Sequence, residues 1–322
     1  MLAGNKGGVV MTQKKKIIII AVVAVVALFV ATVGPFVLSW PYGDQKPREG
    51  AKSPDFDLSS FSLTYGFDGD YMSVENAGFL IGNRVKVSDT YFGLPVTHIS
   101  KGIFKDNTKL ENITLPGGLI GISAEAFSGC TSLDDIVIPA GTNTIGVNAF
   151  AGCTALTDIA LPGNINVGSY SFDGCTALYS VTINAGKAII ADNAFNDCSA
   201  LTIVSVPNDI ISIGVDAFAG CDDLVYSKYD NALYLGNSEN PYVALIKAAD
   251  KNITSCDIHS DTKIVAADAF VGCSALETVN FDGTTEEWKA WKLPYGWDAG
   301  AGDYTVYCSN GQVAKNGTVT NN

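Results

Sequence analysis

A phenylalanine recurs at positions 104, 127, 150, 172, 195 and 218, and again at 270, and each is followed six residues later by a leucine (Leu110, Leu133, Leu156, Leu178, Leu201, Leu224 and Leu276). A period of about 23 residues is too short for a domain. Each unit is one supersecondary element that cannot bury its own apolar face, so successive units must stack. The pattern predicts a mainly β solenoid with a parallel sheet running along it, and function that resides on an extended surface.

Within each unit the segment after the Phe reads L-x-x-I-x-L, as in Leu133 to Ile138 and Leu156 to Leu161. Its last three residues alternate in and out as a strand with one buried face does. Stacked in register, these strands are expected to form one parallel sheet. Pro116, Pro139, Pro162 and Pro207 close four of them, because proline cannot donate to a ladder. A second short extended run then leads to the next Phe and supplies the opposite wall. The Phe side chains should stack into a core spine. An aromatic buries about 150–250 Å².

The spacing breaks once. Between Phe218 and Phe270 the segment 230–250 adds residues, and its pattern of Leu233 to Leu235, then Gly236 to Asn240, then Tyr242 to Leu245, predicts a hairpin insertion that replaces the back wall of that rung. Terminal units differ from the middle of a stack. Residues 56–93 read as an N-terminal β cap, 94–281 as the repeats, 282–311 with Trp288, Trp291 and Trp297 as a C-terminal cap, and 312–322 as a flexible tail.

Ahead of this body lies an uncharged stretch of 22 residues, 17–38, introduced by Lys14, Lys15 and Lys16. At 1.5 Å per residue it is long enough to span a hydrocarbon core of about 30 Å. It predicts one transmembrane helix, with basic residues 1–16 in the cytoplasm, a linker over 39–55 and the repeats outside the cell. A cleaved signal peptide is the rival reading, but its apolar region is normally shorter and ends in a small-x-small site. Of the 20 Lys and Arg, six fall in the first 50 residues. Residues 51–322 therefore carry 14 against 31 Asp and Glu, a net charge of −17. Such a body repels phosphate backbones and excludes nucleic acid as a partner.

Eight cysteines in an exported chain invite a disulfide reading. Six of them (Cys130, Cys153, Cys175, Cys198, Cys221 and Cys273) stand three residues after the repeat Phe. Pairing them would break the equivalence of the rungs, so buried free thiols are expected. The assignment of Cys256 and Cys308 stays open.

The two histidines, His98 and His259, fit no metal-ligand spacing, and the sequence lacks a nucleophile elbow and a phosphate-binding loop. No catalytic residue, cofactor or metal is expected. The outward face of the L-x-x-I-x-L strands is then the candidate binding surface. It is represented by Asp134, Asp135, Asp158, Tyr179, Thr182, Thr202, Ile203, Tyr226, Asp257 and Glu277, a hydroxyl-rich, acidic set with scattered apolar groups.

These units resemble the BspA-like, or Treponema pallidum-type, leucine-rich repeats, whose pattern runs approximately L-x-x-I-x-I-P…I-G-x-x-A-F-x-x-C. The segments AFSGCTSLDDIVIP and AFAGCTALTDIALP fit almost residue for residue, and the likeness covers about Leu94 to Gly311. Asn107 in place of Cys and Asn184 in place of Pro are departures. The resemblance implies a non-catalytic, surface-exposed protein that binds an extracellular protein or glycan on host matrix or a neighbouring cell, in the manner of an adhesin. The alternatives are a structural envelope scaffold that binds cell-wall components or itself, and an enzyme with a divergent site.

Overall fold

A computed structural model describes residues 64–68, 71–76, 83–91 and 94–321. The chain divides into two units, Met1–Asp55 and Phe56–Asn322. The first unit, with the expected membrane segment 17–38, lies outside the described residues. No helix among the described residues is long and apolar enough to cross a membrane.

The described part of Phe56–Asn322 is a stack of short β segments in which the chain visits a front wall and a back wall once per rung. The back wall is continuous as far as Ser212–Ile213. Leu94–Ile99 is followed in parallel by Gly121–Ile122, Thr144–Ile145, Asn166–Val167, Ile189–Ile190 and Ser212–Ile213. Ile99, Ile122, Ile145, Val167, Ile190 and Ile213 are register partners along it, and all are buried. Two-residue strands suffice because each rung adds one β-branched residue to a shared core stripe. Upstream, Thr64–Asp68 pairs antiparallel with Tyr71–Asn76, which runs parallel to Leu94–Ile99.

The front wall corrects the expectation of one unbroken parallel sheet. It consists of three separate sheets: Arg84–Lys86 with Asn112–Thr114 and Asp135–Ile136, then Asp158–Leu161 with Ser180–Ile183 and Ile203–Ser205, then Ser255–Asp257 with Thr278–Asn280 and Thr305–Cys308. The first break falls where the repeat sets Asp135 opposite Asp158, and like charges directly across a ladder oppose pairing. The second falls at the insertion. Here Ser227–Tyr229, Ala232–Leu235 and Ala244–Ala248 form an antiparallel meander, and Ala244 and Leu245 join Ile264 and Val265 in parallel. The second arm of the hairpin thus serves as back wall for its rung.

Between the walls runs the aromatic spine. Phe104, Phe127, Phe150, Phe172 and Phe195 stack face to face at centroid spacings of 5.1 Å, and Phe195 to Phe218 at 5.5 Å. The turn that presents each ring is fixed by backbone bonds to the next rung. Phe127 N–H donates to the Ala149 carbonyl (2.7 Å) and Gly129 N–H to the Ala151 carbonyl (2.7 Å), and the same pair recurs from rung to rung. The turn needs left-handed backbone at two positions, as at Asn148 (φ 55°) and Gly152 (φ 72°), which explains the polar residue and the glycine that flank the A-F pair.

The cysteines complete the turn. All eight are free thiols, seven of them buried and Cys308 half-buried. Cys130, Cys153, Cys175, Cys198 and Cys221 each donate Sγ–H to the carbonyl of the preceding rung's Phe, at 3.1–3.2 Å. Burial pushes the thiols of Cys130 and Cys175 up to about 12, which keeps them protonated donors.

The C-terminal end closes on aromatics. A helix over Thr285–Ala290 starts with a capping box between Thr284 and Glu287 and buries Trp288. Trp297 packs edge-on against Phe270 at 5.5 Å, and Phe270 N–H donates to the Trp297 carbonyl as Phe127 does to Ala149. That register puts Asp298 where the next Phe would stand. Its carboxylate accepts the Tyr304 hydroxyl at 2.7 Å, so the spine ends on a polar group. Residues 312–322 were expected as a flexible tail. Residues 311–321 instead form two antiparallel strands, Gly311–Ala314 and Val319–Asn321, that extend the last front sheet and bury Val313 against its core.

Phe172→Ala removes a ring stacked on both faces and should cost about 3–5 kcal/mol in denaturant unfolding. In a native thiol-labelling time course, Cys308 should react first and the repeat cysteines only on unfolding. Rapid native labelling of Cys153 would contradict the packed turn.

Candidate docking face

The front strands hold the candidate residues by one rule. The Leu that opens each strand and the branched residue three places later are buried (Leu156 and Ile159, Leu178 and Val181, Leu201 and Val204), so the positions between and after them point outward. Asp134 and Asp135 are exposed on the first front sheet. Asp158, Tyr179, Thr182, Thr202 and Ile203 come together on the second.

On that second sheet Ser180 and Ile203 are register partners, as are Asp158 and Ser180. The Tyr179 carbonyl accepts the N–H groups of Thr202 (3.0 Å) and Ile203 (3.2 Å), while Tyr179 N–H donates to Thr157 (2.6 Å). Adjacent rungs lie about 4.8 Å apart, so the side chains of Tyr179, Ile203 and Val225 form a stepped apolar strip. They are 48 %, 48 % and 67 % exposed. Asp158, which accepts the Ser180 hydroxyl, borders the strip. Asp134, Asp135 and the 74 % exposed Val137 continue the face across the first break.

Three candidates lie elsewhere. Tyr226 does not belong to the outward face: its ring turns inward, packs against the core cluster and has the Lys247 ammonium 4.8 Å from its centroid. Burial raises its phenol well above the usual range. The chain's change of course into the meander at Ser227 causes this, and the repeat template gave no sign of it. Asp257 and Glu277 sit on the third front sheet, beyond the insertion. Asp257 is half-buried and held by Asn280 Nδ2, so only Glu277 stands free in solvent there.

The histidines stay apart. His98 lies in the back-wall strand Leu94–Ile99, and His259 stacks on Tyr242 at 4.0 Å. Among the described residues no group of three or more His, Cys, Asp or Glu is placed to hold a metal ion.

The face is thus broad, shallow and lined by groups suited to contact. The family of BspA type leucine rich repeat regions matches residues 96–229 and 248–292 in six copies, more than half of the chain. The protein belongs to that family of leucine-rich repeat proteins, whose solenoids are typically interaction scaffolds. The chain is similar to a leucine rich repeat protein of T. pallidum, with 29 % identity over 51 % of this chain and 88 % of that one at a TM-score of 0.43. It is also similar to a leucine rich cell surface protein of Faecalibacterium prausnitzii (22 % identity, 68 % of each chain, TM-score 0.42) and to the pneumococcal vaccine antigen PcpA (17 %, 69 % and 63 %, TM-score 0.43). No curated protein matches the chain.

Because their side chains point away from the core, Tyr179→Ala and Ile203→Ser should each shift stability by no more than about 0.5 kcal/mol in a denaturant melt. A much larger loss would mean that these groups support the fold.

Proposed function

We propose that the protein is a surface-exposed, membrane-anchored leucine-rich repeat protein that docks an extracellular protein partner on its front wall. The observation that carries this reading is the strip of Tyr179, Ile203 and Val225 beside Asp158, a solvent-facing set on rigid strands whose inward neighbours already complete the core. Interfaces of this kind centre on a few aromatic and aliphatic anchors rimmed by polar groups. The acids favour a partner with a basic rim, found on host matrix or on neighbouring cells, and an adhesin role follows from that setting. Anchoring rests on the uncharged stretch 17–38 behind three lysines.

Two measurements test the proposal. Protease shaving of intact cells should release fragments of residues 56–322. Binding of the full chain to purified matrix proteins should fall at least tenfold in the double variant Tyr179→Ala, Ile203→Asp while the melting temperature is kept. Fragments absent from the shaved fraction would refute the topology, and unchanged binding would move the docking site off this wall.

A further inference from the structure

The insertion leaves one turn of the solenoid without the neighbour every other turn has. Phe104, Phe127, Phe150, Phe172 and Phe195 each donate their N–H to the carbonyl that precedes the next ring position. Ala248 N–H makes the same bond to Ala269, at 2.8 Å. Ala248 therefore occupies the ring position of the inserted rung, and a methyl stands where a phenyl would. The register asks Phe218 N–H to donate to Lys247. That bond is absent, and neither Phe218 N–H nor Gly220 N–H has a hydrogen-bond partner among the described residues.

The third donor of this turn, Asp216 N–H, is taken by the Asp268 carboxylate at 3.1 Å instead of a main-chain carbonyl. The back wall meanwhile steps directly from Ile213 to Ala267, whose N–H donates to the Ile213 carbonyl at 3.0 Å. The hairpin arm that walls the inserted rung therefore lies outside the ladder that ends at Ile213, and the corner beside Phe218 is left open.

A cleft of about 120 Å³ results, lined by Phe218, Tyr226, Ile246 and Lys247 with Asp216 and Asp268 at its polar side. An enclosed apolar cavity of about 150 Å³ accommodates benzene, so this smaller cleft, open to solvent on one side, can take up part of one aromatic ring. Phe218 is 7 % exposed here, whereas the other spine rings are at 0–1 %. Two carboxylates against the single Lys247 ammonium, itself directed over the Tyr226 ring, give the rim a net negative charge.

We propose that this cleft is a binding site for an extended peptide segment in which an aromatic residue is flanked by basic ones. The aromatic ring takes the vacant place in the spine beside Phe218. Main-chain carbonyls two residues apart accept from Phe218 and Gly220 N–H, which reproduces the bonding of the regular rungs and is a local form of strand addition. The basic flank faces Asp216 and Asp268. The site lies off the front strip and is independent of it.

The probe is a capped, fluorescently labelled pentapeptide with a central phenylalanine between two arginines, titrated against the full chain at low salt. It should bind at least tenfold more tightly than the same peptide with a central alanine, and amide exchange over residues 216–220 should slow on binding. Ala248→Phe, which places a ring at the next spine position beside the lining residue Lys247, should abolish binding. Asp268→Asn keeps the side-chain shape, so it tests the site even if Ala248→Phe does not fold. It should weaken binding several-fold and flatten the salt dependence. Equal binding of the alanine peptide, unchanged exchange over 216–220, or full affinity in Asp268→Asn would each overturn the proposal.

Discussion

The stacked phenylalanines and the turn that carries them set the rest of the structure. A ring contributes little to a single rung, because one rung cannot shield both of its faces. Stacked at about 5 Å, each ring is covered by its neighbours, and each turn's N–H groups find carbonyls in the next. The Cys thiol then donates to the carbonyl of the Phe in the preceding rung. Apolar burial and polar satisfaction therefore come from the same contact between rungs, so neither is available to an isolated unit.

That arrangement leaves the front wall free. Its strands supply a Leu and a branched residue to the core and turn the remaining side chains to solvent, on a backbone held by the spine behind it. Substitutions there change what the surface meets without changing what holds it up. The same logic explains why the front sheet can lapse between Asp135 and Asp158: the back wall and the spine already fix the rung spacing. It also explains the open corner at Phe218, where the back-wall ladder ends at Ile213 and no ring fills the next spine position.

Much of the fold was legible in the sequence because periodicity reports directly on burial. The ring positions, the buried Leu and Ile, the hairpin between Gly236 and Asn240 and the aromatic end cap all follow from spacing and residue type. The outward placement of Tyr179 and Ile203 was legible for the same reason. Tyr226 was not, because the repeat template places it beside Ile203 while the chain leaves the template one residue later. The strands at 311–314 and 319–321 were equally hidden: their partner is the Thr305–Cys308 edge, a long-range feature without a periodic signal.

The sequence by itself determined that the chain coils, how long each turn is and which side chains enter the core. Each of these depends on local geometry repeated at fixed intervals. Only the tertiary structure decided which wall keeps a continuous ladder, which thiol meets which carbonyl, and where the column fails to close. Those outcomes depend on how rungs of unequal length accommodate one another, and the interval between residues carries no information about the gap left between their backbones.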